Sequence, residues 1–158
     1  TGSTTVTLTI NDAPVVLTVD RAMAPCAANA FISLAEQGYY NDTSCHKLST
    51  GDAKYLQCGD PSGTGNGGSG YSYPVEKEAK AGGSVGSGTL ALVADSQHRL
   101  GSQFALVYGD SKLSDSFLVI GSIDKDGAGS ISDIAHKGLA DDGLTPKVDT
   151  KIGSVVMG

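Results

Sequence analysis

The residues best suited to chemistry fall in short runs: Cys45-His46-Lys47, Tyr55-Leu56-Gln57-Cys58, the loop from Gly59 to Gly70, and Gly101-Ser102-Gln103-Phe104. Gln57 and Gln103 lie in strand-like runs. A side-chain amide on a strand must find hydrogen-bond partners, and a groove supplies them. Six residues from Gly59 to Gly70 are glycine, so that loop can take conformations and approaches a side chain would forbid. Other patterns imitate known sites. Gly63-Thr64-Gly65-Asn66-Gly67-Gly68 fits the phosphate-binding spacing GxGxxG, but no βαβ unit surrounds it and no Lys-Ser/Thr follows. Gly82-Gly83-Ser84-Val85-Gly86 fits the GxSxG nucleophile turn, but charged Glu76-Lys77-Glu78 precedes it in place of a buried strand. Asp124-Lys125-Asp126-Gly127 hints at a calcium loop without its acidic spacing, and reads as a strand-to-helix turn. His98 and His136 sit in polar surroundings and read as solvated surface.

The three cysteines form no CxxC pair, so nothing points to zinc. Two readings stand: small buried residues, or one disulfide with one thiol left over. For a disulfide, Cys45 and Cys58 are the preferred pair, because their runs read as neighbouring antiparallel strands. At 158 residues the chain fits one domain over 1–158, with 1–3 as a possible linker remnant. A formal charge of −6 argues against a nucleic-acid or anionic-membrane partner. No apolar run reaches the ~18 residues a membrane-spanning helix needs. No cofactor or metal is implied.

The elements that must position these residues are mostly strands. Thr4 to Ile10 alternates Thr with Val6, Leu8 and Ile10, Asn11-Asp12 is a turn, and Pro14 to Val19 is the return strand. Pro25 opens a helix whose face is Ala27, Ala30, Phe31, Leu34 and Ala35, and Gly38 ends it. Strands follow at 44–49 and 54–58. The glycine loop leads to a short extended piece at 71–74 and a polar loop at 76–88. Residues 89–94 form a core strand, 95–100 a loop, and 103–108 and 117–123 further strands. A short helix spans Ser130 to Lys137, with Ser130 as N-cap and Asp133 close to a capping box. A loop over 138–148 precedes a last strand at 150–157. About eight strands and two helices without βαβ alternation predict a mainly β fold. We expect a closed eight-stranded antiparallel β-barrel capped by two α-helices.

The order of these motifs resembles the cyclophilins, the peptidyl-prolyl cis-trans isomerases. The likeness covers nearly the whole chain. Ala24-Pro25 to Phe31, with Leu34-Ala35 and Gly38-Tyr39-Tyr40, is similar to the family's first helix. Cys45-His46-Lys47 stands where Phe-His-Arg is usual, and Gln57-Cys58-Gly59-Asp60-Pro61 where Gln-Gly-Gly-Asp-Pro is. Thr64-Gly65 through Gly70-Tyr71 resembles the glycine loop, Gly88-Thr89-Leu90-Ala91-Leu92 the Gly-Thr-Leu-Ala-Met run, and Gly101-Ser102-Gln103-Phe104 the Gly-Ser-Gln-Phe run. The cysteines and Pro25-Cys26 resemble an exported or membrane-anchored actinobacterial subgroup. That implies a place on the extracytoplasmic side of a bacterium, with the cytoplasm as the other reading.

The resemblance implies rotation about Xaa-Pro bonds, without covalent chemistry, in protein folding. Lys47 would be the catalytic donor, with Gln57 holding substrate backbone. His46, Gln103 and the main chain of Ala94 would flank the substrate. Tyr55, Phe104, Ala105, Leu113 and Phe117 would form the proline pocket, with Val93 at its edge. The partners would be proline-containing peptides or unfolded proteins, bound by a monomer. Two departures, at Lys47 and Ala105, weaken or narrow the expected activity. Lys47 replaces an Arg, a point charge on a flexible stem in place of a planar fork of donors. Ala105 replaces a Phe, opening the pocket floor and removing roughly 1.5–3 kcal/mol of apolar contact. Lys112 stands where many cyclophilins carry Trp, so cyclosporin-type ligands should bind weakly. The other implied reading is a decayed module that binds Pro-containing segments or protein partners without turnover.

Overall fold

The computed structural model describes residues 3–20, 25–51, 53–59, 73–74, 81–94, 99–141, 143 and 145–157. The glycine loop over 60–72, the polar loop over 75–80 and the loop over 95–98 with His98 lie outside the described residues.

The chain opens with a hairpin of β1 (Ser3–Ile10) and β2 (Ala13–Asp20), paired in register from Ser3↔Asp20 to Ile10↔Ala13. Asn11 and Asp12 both have positive φ, 49° and 68°, the conformation of a tight two-residue turn matching strand twist. Val6, Leu8, Ile10, Val15, Leu17 and Val19 all point into the core. Helix α1 (Pro25–Glu36) buries Ala27, Ala28, Phe31, Ile32, Leu34 and Ala35 and packs against β2. Gly38 closes it at φ 75°, where Gly38 N–H donates to Ala35 O and Tyr39 N–H to Leu34 O. Those bonds satisfy carbonyls the helix would otherwise leave open.

Next come β3 (Thr43–Ser44), β4 (Lys47–Thr50), β5 (Lys54–Cys58), β6 (Tyr73–Pro74), β7 (Ala81–Val85), β8 (Thr89–Ala94), β9 (Arg99–Val107) and β10 (Ser111–Ile123). Helix α2 (Lys125–His136) and β11 (Lys151–Met157) complete the chain. Among the described residues the eleven strands form one antiparallel sheet ordered β3-β11-β1-β2-β10-β8-β9-β5-β4, with β6 on β9 and β7 on β10. The two end strands, β3 and β4, are separated in the chain only by Cys45 and His46. Cys45 N–H donates to Thr150 O beside β11, and His46 N–H to Gln57 O on β5. The sheet is therefore strongly curled around its core, mainly β with two helices, as the sequence implied.

Several boundaries differ from the sequence reading, for physical reasons. Ala81–Val85 has no large apolar alternation, yet it is a strand because β10 offers it a ladder, with Ser111↔Val85 and Leu113↔Gly83. That pairing also starts β10 at Ser111 rather than 117. The helix expected to start at a Ser130 cap instead begins at Lys125, so α2 takes in Gly127 and Gly129. Its cap is Asp124, whose carboxylate accepts from Gly127 N at 3.1 Å and Val16 N at 3.0 Å. That one side chain caps the helix and ties it to β2. Gly121 marks where β10 passes from β8 to β2; a Cβ there would strike the carbonyl oxygen of Thr18.

Candidate functional site

Strand alternation sorts the central sheet into two faces. Leu48, Leu56, Cys58, Leu90, Leu92, Phe104, Leu106, Leu118 and Ile120 belong to the main core beneath α1 and α2. The opposite face carries a second apolar cluster of Tyr55, Ala91, Ala105, Val107, Leu113 and Phe117, edged by Ala53, Val85 and Val93. The ladder explains who meets whom. Tyr55 opposes Val107, Ala105 lies between Gln57 and Ala91, and Phe117 opposes Val93. The rings of Tyr55 and Phe117 meet edge to face with centroids 5.0 Å apart.

The polar candidates border this cluster. Lys47 opposes Gln57 in the β4–β5 ladder. The Gln57 amide Nε2 donates to Gln103 Oε1 at 2.6 Å, which fixes the orientation of both amides. Gln57 is 8% exposed, so its amide lies at the cluster's margin rather than in open water. The Lys47 ammonium sits over the Tyr55 ring, 5.7 Å from its centroid. His46 is half-buried and precedes it. Cys45 and Cys58 are joined by a disulfide, both buried, so the bond flanks His46-Lys47 on one side and Gln57 on the other.

Of the residues the sequence nominated, Lys47, Gln57, Gln103, Tyr55, Ala105, Leu113, Phe117 and Val93 gather on this one face. Phe104 does not. It is fully buried on the core side, edge to face with Phe31 and Tyr40 at centroid distances of 5.3 and 5.0 Å. Phe104 and Ala105 are adjacent in one strand and cannot share a face. The Ala94 side chain also points into the main core, while its main chain pairs with Leu100. Nor is the floor at Ala105 open: Ala105 has no exposed surface, with Tyr55 and Phe117 in the same cluster. Sequence reasoning missed Ala91 and Val107, which complete that floor. Counting two residues on from Ala105 and back from Val93 finds both.

The turns beyond the cluster are pinned by polar bonds. Ser111 Oγ accepts from Lys54 N at 2.7 Å and donates to Gly109 O at 2.9 Å. Tyr108 donates its hydroxyl to Ser49 O at 2.7 Å, and burial raises its pKa. A concavity of about 520 Å³ lined by Ser84, Val85, Gly86, Asp110, Ser111 and Lys112 adjoins the cluster through Val85. Among the described residues, this face brings together an apolar cluster, the amides of Gln57 and Gln103, and the Lys47 ammonium.

A family model described as "Cyclophilin type peptidyl-prolyl cis-trans isomerase/CLD" matches residues 5–157. The "Probable peptidyl-prolyl cis-trans isomerase B" of Mycobacterium tuberculosis is 35% identical over 158 residues, covering 93% of this chain and 51% of that protein. The protein of the same name from Mycobacterium leprae is 38% identical over 144 residues, covering 84% of this chain and 49% of that one. The chain thus spans about half the length of these relatives. In fold, it is similar to the crystal structure of a Cryptosporidium parvum cyclophilin type peptidyl-prolyl cis-trans isomerase. The TM-score is 0.81 at 24% identity, with 99% of this chain and 98% of that one covered.

Proposed function

The chain belongs to the cyclophilin-type peptidyl-prolyl cis-trans isomerase family, and we propose that it catalyses rotation about Xaa-Pro bonds in extended or unfolded polypeptides. The barrier, about 18–20 kcal/mol, comes from amide resonance. At the twisted transition state that resonance is lost and the proline nitrogen regains a lone pair. Catalysis requires groups that bind the twisted form better than either planar one. In this reading the Tyr55–Leu113–Phe117 cluster seats the proline ring. Gln57 and Gln103 hold the flanking peptide groups. Lys47 donates to the proline nitrogen as its lone pair appears. The observation that carries the reading is the gathering of Lys47, Gln57 and Gln103 around the apolar cluster on the sheet's second face. A second C. parvum structure of that isomerase, similar in fold, was determined in the presence of the dipeptide Ala-Pro, which suits such a seat.

We further propose that activity is modest and substrate choice narrow. Lys47 is a weaker director than a guanidinium, and two rings occupy the seat's floor. Ala105, buried under those rings, favours the second reading, a proline-peptide binder with little turnover. The buried Cys45–Cys58 disulfide suits an oxidising compartment and supports a place outside the cytoplasm. Lys112, exposed where a Trp is usual, supports weak binding of cyclosporin-type ligands.

Exchange NMR on short Xaa-Pro peptides tests this, because it reads binding and cis/trans exchange separately. Catalytic amounts of protein should accelerate exchange. Lys47→Gln should lower the catalysed rate about tenfold or more, equivalent to the loss of ~1.4 kcal/mol of transition-state binding. Lys47→Arg should raise it. Peptide line shifts without faster exchange would establish the binder instead, and neither effect would defeat both readings.

A further inference from the structure

We propose that Tyr55 is a positioning residue for Lys47, holding its ammonium at the edge of the apolar seat; this rests on the isomerase reading above. Lys47 opposes Gln57 and Ser49 opposes Tyr55, so Lys47 and Tyr55 are diagonal neighbours on one face of the β4–β5 pair. Diagonal partners on an antiparallel pair are within reach of long and aromatic side chains. The ammonium takes that reach and sits 5.7 Å from the ring centroid, inside the range of a cation–π attraction. The ring itself is held: Tyr55 is 6% exposed, and Phe117 packs edge to face against it at 5.0 Å.

The contact solves a problem that Lys47 creates. A lysine carries its charge on a flexible stem and presents no planar fork. Left in water, its ammonium would sample many positions, and a donor contributes to catalysis only when it is already in place. The negative face of a fixed aromatic ring confines the charge without neutralising it. A carboxylate partner would hold it more tightly, but would compete for the protons the substrate needs. Leu or Met at position 55 would keep the apolar floor and lose this confinement. Tyr55 therefore has two separable roles, as floor and as anchor.

The separation is testable with Tyr55→Phe, which keeps the ring, and Tyr55→Leu and Tyr55→Met, which keep only apolar bulk. Two ringless variants are used so that a folding failure in one leaves the test standing. In the unaltered protein, the Lys47 ε-methylene protons should show an upfield ring-current shift, retained in Tyr55→Phe and lost in the ringless variants. At saturating peptide, the catalysed exchange rate of the ringless variants should be about fivefold below that of Tyr55→Phe. In a Lys47→Gln background, that gap between Tyr55→Phe and the ringless variants should close. Absence of acceleration by the unaltered protein defeats the isomerase reading and this inference with it. If the unaltered protein accelerates exchange, this inference alone is overturned by any of three results. These are no ring-current shift at Lys47, ringless variants as fast as Tyr55→Phe, or an equal gap with and without Lys47.

Discussion

Ala105 shows how much one small side chain decides. It has no exposed surface and lies between Gln57 and Ala91 in the ladder, in one cluster with Tyr55 and Phe117. A phenyl ring placed there has no vacancy to enter. Ala105→Phe should therefore lower stability by about 1–3 kcal/mol, read as a drop in the urea midpoint, and should fail to raise the catalysed exchange rate. From the sequence alone, the same alanine reads as a hole waiting to be filled. Tyr108 gives a pH signature. Burial raises its pKa above the ordinary value near 10, and its hydroxyl is a donor to Ser49 O. The folded state holds that proton more tightly than the unfolded one, so the stabilisation is complete below about pH 10 and is lost as pH rises through the raised value. Alkaline unfolding curves should show this loss, and Tyr108→Phe should flatten it.

Among the elements, the β4–β5 pair matters most, because it sets Lys47 opposite Gln57 and carries the Cys45–Cys58 bond at its open end. The two cysteines are 13 residues apart, a loop for which a cross-link contributes about 3 kcal/mol by restricting the unfolded chain. Cys45→Ala/Cys58→Ala should lose about 2–4 kcal/mol in urea titrations and, by freeing the strand end, should also slow catalysed exchange. The elements most legible in the sequence were those with strong local signals. The β1–β2 hairpin had clean alternation and a turn pair suited to positive φ, and α1 had Pro25 at one end and Gly38 at the other. The least legible were β7 and the first turns of α2, where small residues hide a structure imposed by distant partners, β10 and Val16. Within the site, alternation alone separates Phe104 from Ala105, so that distinction is legible in the sequence. The meeting of Lys47 with Tyr55 is not, because it depends on a register that only the folded ladder specifies.

For the molecule as a whole, the fold class was legible through collinear resemblance rather than through local patterns. The resemblance brought distant segments together in a way periodicity cannot. Among the described residues there are eleven strands rather than the expected eight or so, because short strands such as β3 and β6 carry almost no pattern of their own. Order along the chain also differs sharply from order across the sheet. The first hairpin of the sheet, β1–β2, is flanked on its outer side by the sheet's C-terminal strand: Val6 pairs with Met157 and Ile10 with Ile152. A ribosome delivers roughly 5–20 residues per second, so β1 waits on the order of ten seconds for the strand that covers its edge. During that interval a row of β-branched residues stands with open hydrogen-bonding groups, the kind of surface on which nascent chains of the same message would pair with each other. A protein proposed to help other chains through slow folding steps thus has a vulnerable interval of its own, set by the distance along the chain between two strands that pair.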